Sequence, residues 1–125
     1  LDKLILSEIR KAGCHVFLHI CKDGLNMERY RSYGDYCDVV NWGVYEVPYS
    51  LEEGKKLFPG KTLMGGLANR SGPLVEGTQE ELAAAVAQVV ETAGTQGFIL
   101  GADCTLPTEI PTQRIRWVME ALRAL

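Results

Sequence analysis

The sequence predicts an α/β fold in which parallel strands alternate with helices. Short apolar runs recur along the 125 residues, and segments with helical spacing separate them. Polar and sulfur-containing residues follow several of these runs directly. Strands joined by helical crossovers are parallel, so their carboxyl ends meet at one edge of the sheet. That edge is where α/β folds place their functional sites.

A leading helix is predicted over residues 2–12, because Leu4, Ile5 and Ile9 recur at helical spacing and Gly13 ends it. Four strand–helix units follow. They are a strand at 14–21, a helix at 26–33, a strand at 36–42, a helix at 50–58, a strand at 61–67, a helix at 78–93, a strand at 97–101 and a helix at 111–124. Four such units make half of a (β/α)₈ barrel, although four parallel strands also form open sheets covered on both faces.

Helix-start signals support these boundaries. Ser50 precedes Glu53, and Thr78 precedes Glu81, at the spacing of a capping box. Asn26 is a suitable N-cap for the short helix. The loop at 22–24 carries solvated charges.

Composition limits the classes of function. The net charge is −3 and no run is rich in Lys or Arg, so we expect no nucleic-acid partner. No apolar run approaches the ~20 residues of a membrane span, and no signal peptide is recognisable. The four cysteines lie in or beside apolar runs, which favours reduced thiols and a cytoplasmic location. Because the first residue is Leu1, we expect one domain over 1–125 that is a fragment of a longer chain.

His19, Cys21 and Cys104 form the strongest candidate site. Side chains two apart on a strand share a face, so His19 and Cys21 point the same way, and Cys104 follows the last strand. One imidazole and two thiolates suit zinc and leave a fourth position open. The alternative is that the cysteines are inert apolar residues and the histidine is merely hydrogen-bonded, since no compact CxxC pair is present.

Gly65 and Gly66 end the third strand and would let a ligand approach the backbone. We expect replacement of Gly66 by valine to impair ligand binding more than folding.

The chain resembles the C-terminal half of the uroporphyrinogen decarboxylase superfamily. The resemblance rests on residues 59–67 (PGKTLMGGL), on the helix start at 74–81 (LVEGTQEE), and on the glycine-rich strand 97–102 with Pro107 after it. It covers essentially the whole chain and implies strands five to eight of a TIM barrel. The superfamily's Gly-Asn turn is replaced here by a Gly-Leu-Ala-Asn sequence that ends at Asn69.

Two chemistries occur in that superfamily. Metal-free decarboxylases of the tetrapyrrole uroporphyrinogen, in heme biosynthesis, carry a Gly-His-Gly-like turn where this chain has residues 102–104 (ADC). Zinc-dependent methyltransferases carry a His-x-Cys after one strand and a single distant Cys, to which His19, Cys21 and Cys104 are similar. The resemblance therefore implies zinc, and a corrinoid (cobalamin) held on a separate protein, with a methyl group moving between its cobalt and a thiol or other small substrate.

The remaining site residues follow from this interpretation. Asp103 is a candidate catalytic residue that orients His19, although it equally fits a cap of the last helix. Trp42 is a candidate for stacking on a flat ligand or for packing at the rim. Asn69 and Arg70 are candidates for substrate binding, with Arg70 meeting an anionic group. A non-catalytic fragment with structural His and Cys remains an alternative.

Half of a barrel leaves one face of the sheet bare. We therefore expect the N-terminal half of the barrel, or a second copy of the chain, to cover it.

Overall fold

A four-stranded parallel sheet organises the chain. The computed structural model describes residues 1–22 and 24–125. Its helices and strands, in chain order, are α1 Asp2–Lys11, β1 Phe17–Ile20, a 3-10 helix Met27–Tyr36, β2 Val39–Trp42, α2 Leu51–Leu57, β3 Thr62–Leu67, α3 Gln79–Ala93, β4 Phe98–Ala102 and α4 Thr112–Arg123. The strands lie in the order β1-β2-β3-β4 and every neighbouring pair is parallel. The predicted α/β fold is confirmed, as an α/β half-barrel.

The first strand–helix unit departs most from the prediction. β1 begins at Phe17 rather than at Cys14, because the backbone N–H of Val16 donates to the Asp38 carboxylate at 2.8 Å. The predicted helix at 26–33 is a 3-10 helix, and the side chain of Asn26 makes no capping hydrogen bond. The predicted loop at 22–24 includes Asp23, which lies outside the described residues.

Local start signals are confirmed at the two α-helices that connect strands, α2 and α3. The side chains of Ser50 and Thr78 accept hydrogen bonds from the backbone N–H groups of Glu53 and Glu81, at 3.2 Å in both cases. The two glutamates return the bond to the backbone of the capping residues. Each capping box satisfies N–H groups that a helix start leaves free.

The two faces of the sheet differ. Buried apolar side chains face α2 and α3, among them Ile20, Val40, Trp42 and Leu63. The opposite face carries the row His19, Asn41, Met64 and Ile99, which are register partners across the four strands. The candidate site therefore lies on the face of the sheet that α2 and α3 do not cover.

Trp42 belongs to the core. Its side chain is fully buried, and its indole N–H donates to the Tyr49 carbonyl at 2.9 Å. A Cβ on Gly54 of α2 would lie 2.1 Å from the Trp42 ring, so α2 packs directly on the indole. The interpretation of Trp42 as a ligand-stacking residue is therefore wrong.

Within the described residues, no helix combines the length and apolar character needed to cross a membrane.

Candidate metal centre

His19, Cys21 and Cys104 meet at the carboxyl ends of β1 and β4. The sulfur atoms of Cys21 and Cys104 are 3.7 Å apart, and Cys104 Sγ lies 3.3 Å from His19 Nε2. The three donor atoms all lie within 4.8 Å of one another. β1 carries His19, Cys21 directly follows the last residue of β1, and the turn after β4 brings Cys104 to them.

Two of these separations match those of a tetrahedral zinc site. Zn–S bonds of about 2.3 Å and Zn–N bonds of about 2.0 Å, at tetrahedral angles, place sulfur atoms about 3.8 Å apart and sulfur and nitrogen about 3.5 Å apart. The donor set is also soft and nitrogen-containing, as zinc prefers. The residues present therefore fit a zinc ion and would supply three of its four ligands.

The electrostatic interaction between the two thiols also favours a bound cation. The hydrogen bond and charge of Cys104 raise the pKa of the Cys21 thiol above its usual value, and Glu46 acts in the same direction. The positive charge of Arg70 lowers that pKa. Two neighbouring thiols resist joint ionisation, and a bound dication removes this resistance because it stabilises both thiolates.

The imidazole of His19 also makes a hydrogen bond to a residue of the neighbouring strand, β2. Its Nδ1 is hydrogen-bonded to Oδ1 of Asn41, its register partner on β2. The Asn41 amide nitrogen lies 2.8 Å from the Met64 carbonyl oxygen and 3.4 Å from that of Ala102. Asn41 lies near the end of the strand predicted at 36–42, and its position opposite His19 becomes apparent only once the register is known.

Asp103 does not orient His19. Its carboxylate is buried and accepts from the backbone N–H of Gly66 at 2.9 Å and of Tyr45 at 3.3 Å. Burial raises the pKa of this carboxyl, while the N–H groups of Gly66, Tyr45 and Val44 oppose the rise. Asp103 thus joins the β2 loop to the end of β3, and the orienting role assigned to it is wrong.

The two glycines of β3 face different environments. A Cβ on Gly65 would lie 3.1 Å from Asp103 Oδ1 and 3.3 Å from Asn41 Nδ2, beside the cluster. A Cβ on Gly66 would lie 2.5 Å from Val89 Cγ1 of α3, away from it. Only Gly65 therefore borders the site, and the expected effect of Gly66 on ligand binding is corrected.

Gly66→Ala is expected to destabilise the fold by about 2 kcal/mol or more, because it adds a clash with Val89 to the strain of φ +101°. Gly60→Ala is the matched control, since Gly60 has φ +74° and no neighbour within 4 Å. Urea unfolding of both variants separates the clash from the backbone strain. Equal losses of stability would contradict the packing of Gly66 against α3.

Asn69 and Arg70 follow β3 on the side of the β4 loop. Asn69 is buried and its amide donates to the Thr105 carbonyl at 3.0 Å, so it braces that loop. Arg70 is exposed and lines a cleft with Thr105, Pro107 and Glu109. Arg70 is therefore open to a small anion, whereas Asn69 already has a structural partner.

An α/β half-barrel with a sulfur-rich cluster at the carboxyl ends of its strands defines the class of this protein. The family profile described as uroporphyrinogen decarboxylase (URO-D) matches residues 3–125. The chain belongs to the URO-D family, as its sequence motifs indicated.

A solved structure with the same fold is a methyltransferase from Methanosarcina mazei. The TM-score is 0.76 at 17% identity, and the match covers 98% of this chain and 35% of that one. The chain thus spans about a third of the length of that methyltransferase. No curated protein sequence matched the chain.

Proposed function

We propose that this chain carries the zinc centre of a methyltransferase that moves a methyl group between a corrinoid on a separate protein and a thiol or another small substrate. The carrying observation is the triangle of His19, Cys21 and Cys104, whose separations suit one tetrahedral ion. Within the URO-D family, the likeness in fold to a methyltransferase is what favours methyl transfer over decarboxylation in this proposal.

Zinc at this position would supply Lewis-acid chemistry, keeping a substrate thiol deprotonated at neutral pH. The chain's own residues would hold the ion and orient the substrate. His19, Cys21 and Cys104 would provide three ligands and leave a fourth coordination position for the substrate. A corrinoid, when bound by its own protein, would supply the methyl group as a carbon electrophile and keep the electron pair of the bond that carried it, while the substrate sulfur would take the methyl group and release its proton to solvent.

Arg70 is our candidate for the residue that selects the substrate. The Arg70 side chain is exposed, and its positive charge lowers the pKa of the Cys21 thiol. An anionic group on the substrate would pair with the guanidinium while its thiol reaches the metal. Glu46 acts in the opposite direction to Arg70 and raises the pKa of the Cys21 thiol.

Two alternatives make different demands on the site. Decarboxylation of a tetrapyrrole, the reaction in the family's description, needs no zinc. A structural role for the cluster needs a fourth protein ligand that closes the coordination sphere.

The test is zinc-dependent methyl transfer by the full-length protein. We expect chelator-treated protein to regain activity on addition of zinc, with methylcobalamin as donor and 2-mercaptoethanol as acceptor. Loss of methylcobalamin absorbance under anaerobic conditions and the thioether by mass spectrometry are the readouts. Cys21→Ser should remove the activity, while Cys14→Ser, an exposed cysteine outside the cluster, should keep it. Equal rates with and without zinc would refute the proposal, and metal-free turnover of uroporphyrinogen would establish the decarboxylase.

A further inference from the structure

We propose that Asn41 is a positioning residue that fixes the tautomer of His19, so that the lone pair of Nε2 faces the metal position. The inference rests on the proposed zinc function, and it concerns a residue for which sequence motifs suggested no role. The observation is the hydrogen-bonded chain from the carbonyls of β3 and β4, through the Asn41 amide, to the imidazole.

The orientation of the Asn41 amide is determined by what surrounds it. Its nitrogen faces the carbonyl oxygens of Met64 and Ala102, at 2.8 and 3.4 Å. Backbone carbonyls only accept hydrogen bonds, so the NH₂ group of the amide has to face them. A flipped amide would place its oxygen against two other oxygens. The strand ends therefore leave Asn41 Oδ1 as the atom that faces His19.

A fixed amide oxygen determines the proton on the imidazole. The amide oxygen Oδ1 can only accept a hydrogen bond. His19 Nδ1 must therefore carry the proton and donate it to Oδ1. In a neutral ring the other nitrogen, Nε2, then holds the lone pair. Nε2 is the nitrogen that lies 3.3 Å from Cys104 Sγ, inside the metal cluster. The ring is thus in its metal-binding tautomer before an ion arrives.

The residues around Asn41 leave room for this hydrogen-bond network. Gly65 has φ +139°, and a Cβ there would lie 3.3 Å from Asn41 Nδ2, closer than most side chains tolerate. Asp103, another oxygen-bearing side chain at this edge, accepts hydrogen bonds from the backbone of Gly66 and Tyr45. Asn41 is therefore the side chain that serves His19 in the described part of the sheet edge.

The direct test is the protonation of the His19 ring in the metal-free wild-type protein. Long-range ¹H–¹⁵N spectra of ¹⁵N-histidine-labelled full-length protein at pH 8 distinguish the two tautomers, with assignment by a His19→Gln variant. We expect His19 to be protonated at Nδ1, whereas a histidine-containing model peptide, recorded as the reference, shows the averaged pattern of a free imidazole. A His19 ring protonated at Nε2, or averaged like that of the peptide, would overturn the inference.

A variant series then measures the effect on the metal. Asn41→Leu removes the acceptor, and we expect zinc affinity to fall about 10- to 100-fold with loss of the fixed tautomer. Asn41→Asp keeps an acceptor for Nδ1 but places its second carboxylate oxygen against the carbonyls of Met64 and Ala102, so it should recover only part of the affinity. Asp38→Ala is the control, because it removes a β1–β2 hydrogen bond at the far end of the same strands.

The outcomes separate the two proposals. Unchanged zinc affinity in folded Asn41→Leu would refute the role of Asn41, and so would an equal loss in Asp38→Ala. If Asn41→Leu does not fold, the wild-type tautomer decides. Wild-type protein that holds the Nδ1-protonated ring and binds no zinc would instead refute the proposed function.

Discussion

Replacing Cys104 with serine is expected to abolish tight zinc binding. Wild-type protein should hold about one zinc per chain, at bond lengths of about 2.0–2.3 Å. Serine offers a neutral hydroxyl where the cluster needs a soft, ionised sulfur, so two good ligands remain. The loss should exceed the ~100-fold that removal of an outer hydrogen-bond partner costs, because a direct ligand is gone.

Metal content by elemental mass spectrometry and affinity by competition with a chelator measure this effect. Cys14→Ser is the matched control, since Cys14 is also exposed but lies outside the three-residue cluster. The backbone around residue 104 should survive the change because Asp103 keeps its bonds to Gly66 and Tyr45. Zinc content in Cys104→Ser equal to that of the control would refute the metal centre.

The isolated 125-residue chain is expected to self-associate rather than to remain a stable monomer. The sheet face away from the helices exposes 62% of Phe17 and 38% of Ile99. β1 and β4 are also the outer strands of the sheet, with unpaired backbone groups along their edges. An apolar face with open edges is stable only when covered, by the N-terminal half of a barrel or by a second copy.

Sedimentation velocity across a concentration series measures the association. Phe17→Asp should shift the chain toward monomer, since it places a charge on the bare face. Leu125→Asp is the control, because Leu125 is 67% exposed at the C-terminus, outside the sheet. A wild-type monomer with a sharp two-state melt would contradict the half-barrel assembly and favour a self-sufficient sheet.

The sequence determined the features that depend on local spacing. Alternating strands and helices follow from residue periodicity, and the capping boxes at Ser50 and Thr78 follow from a three-residue spacing to glutamate. The shared face of His19 and Cys21 follows from the two-residue repeat of a strand. Cys104 could be added because the ends of parallel strands meet at the same edge.

Register and backbone conformation were decided by the tertiary structure. Asn41 serves His19 because β2 pairs with β1 in one register, which no local pattern of either strand specifies. Trp42, its neighbour, points into the core because a glycine in α2 leaves room for the indole. At Gly65 and Gly66 the positive φ angles break the strand's alternation, so the two-residue rule could not tell which glycine borders the site. Packing between segments far apart in the chain fixed these details, and through them the side chains that surround the metal position.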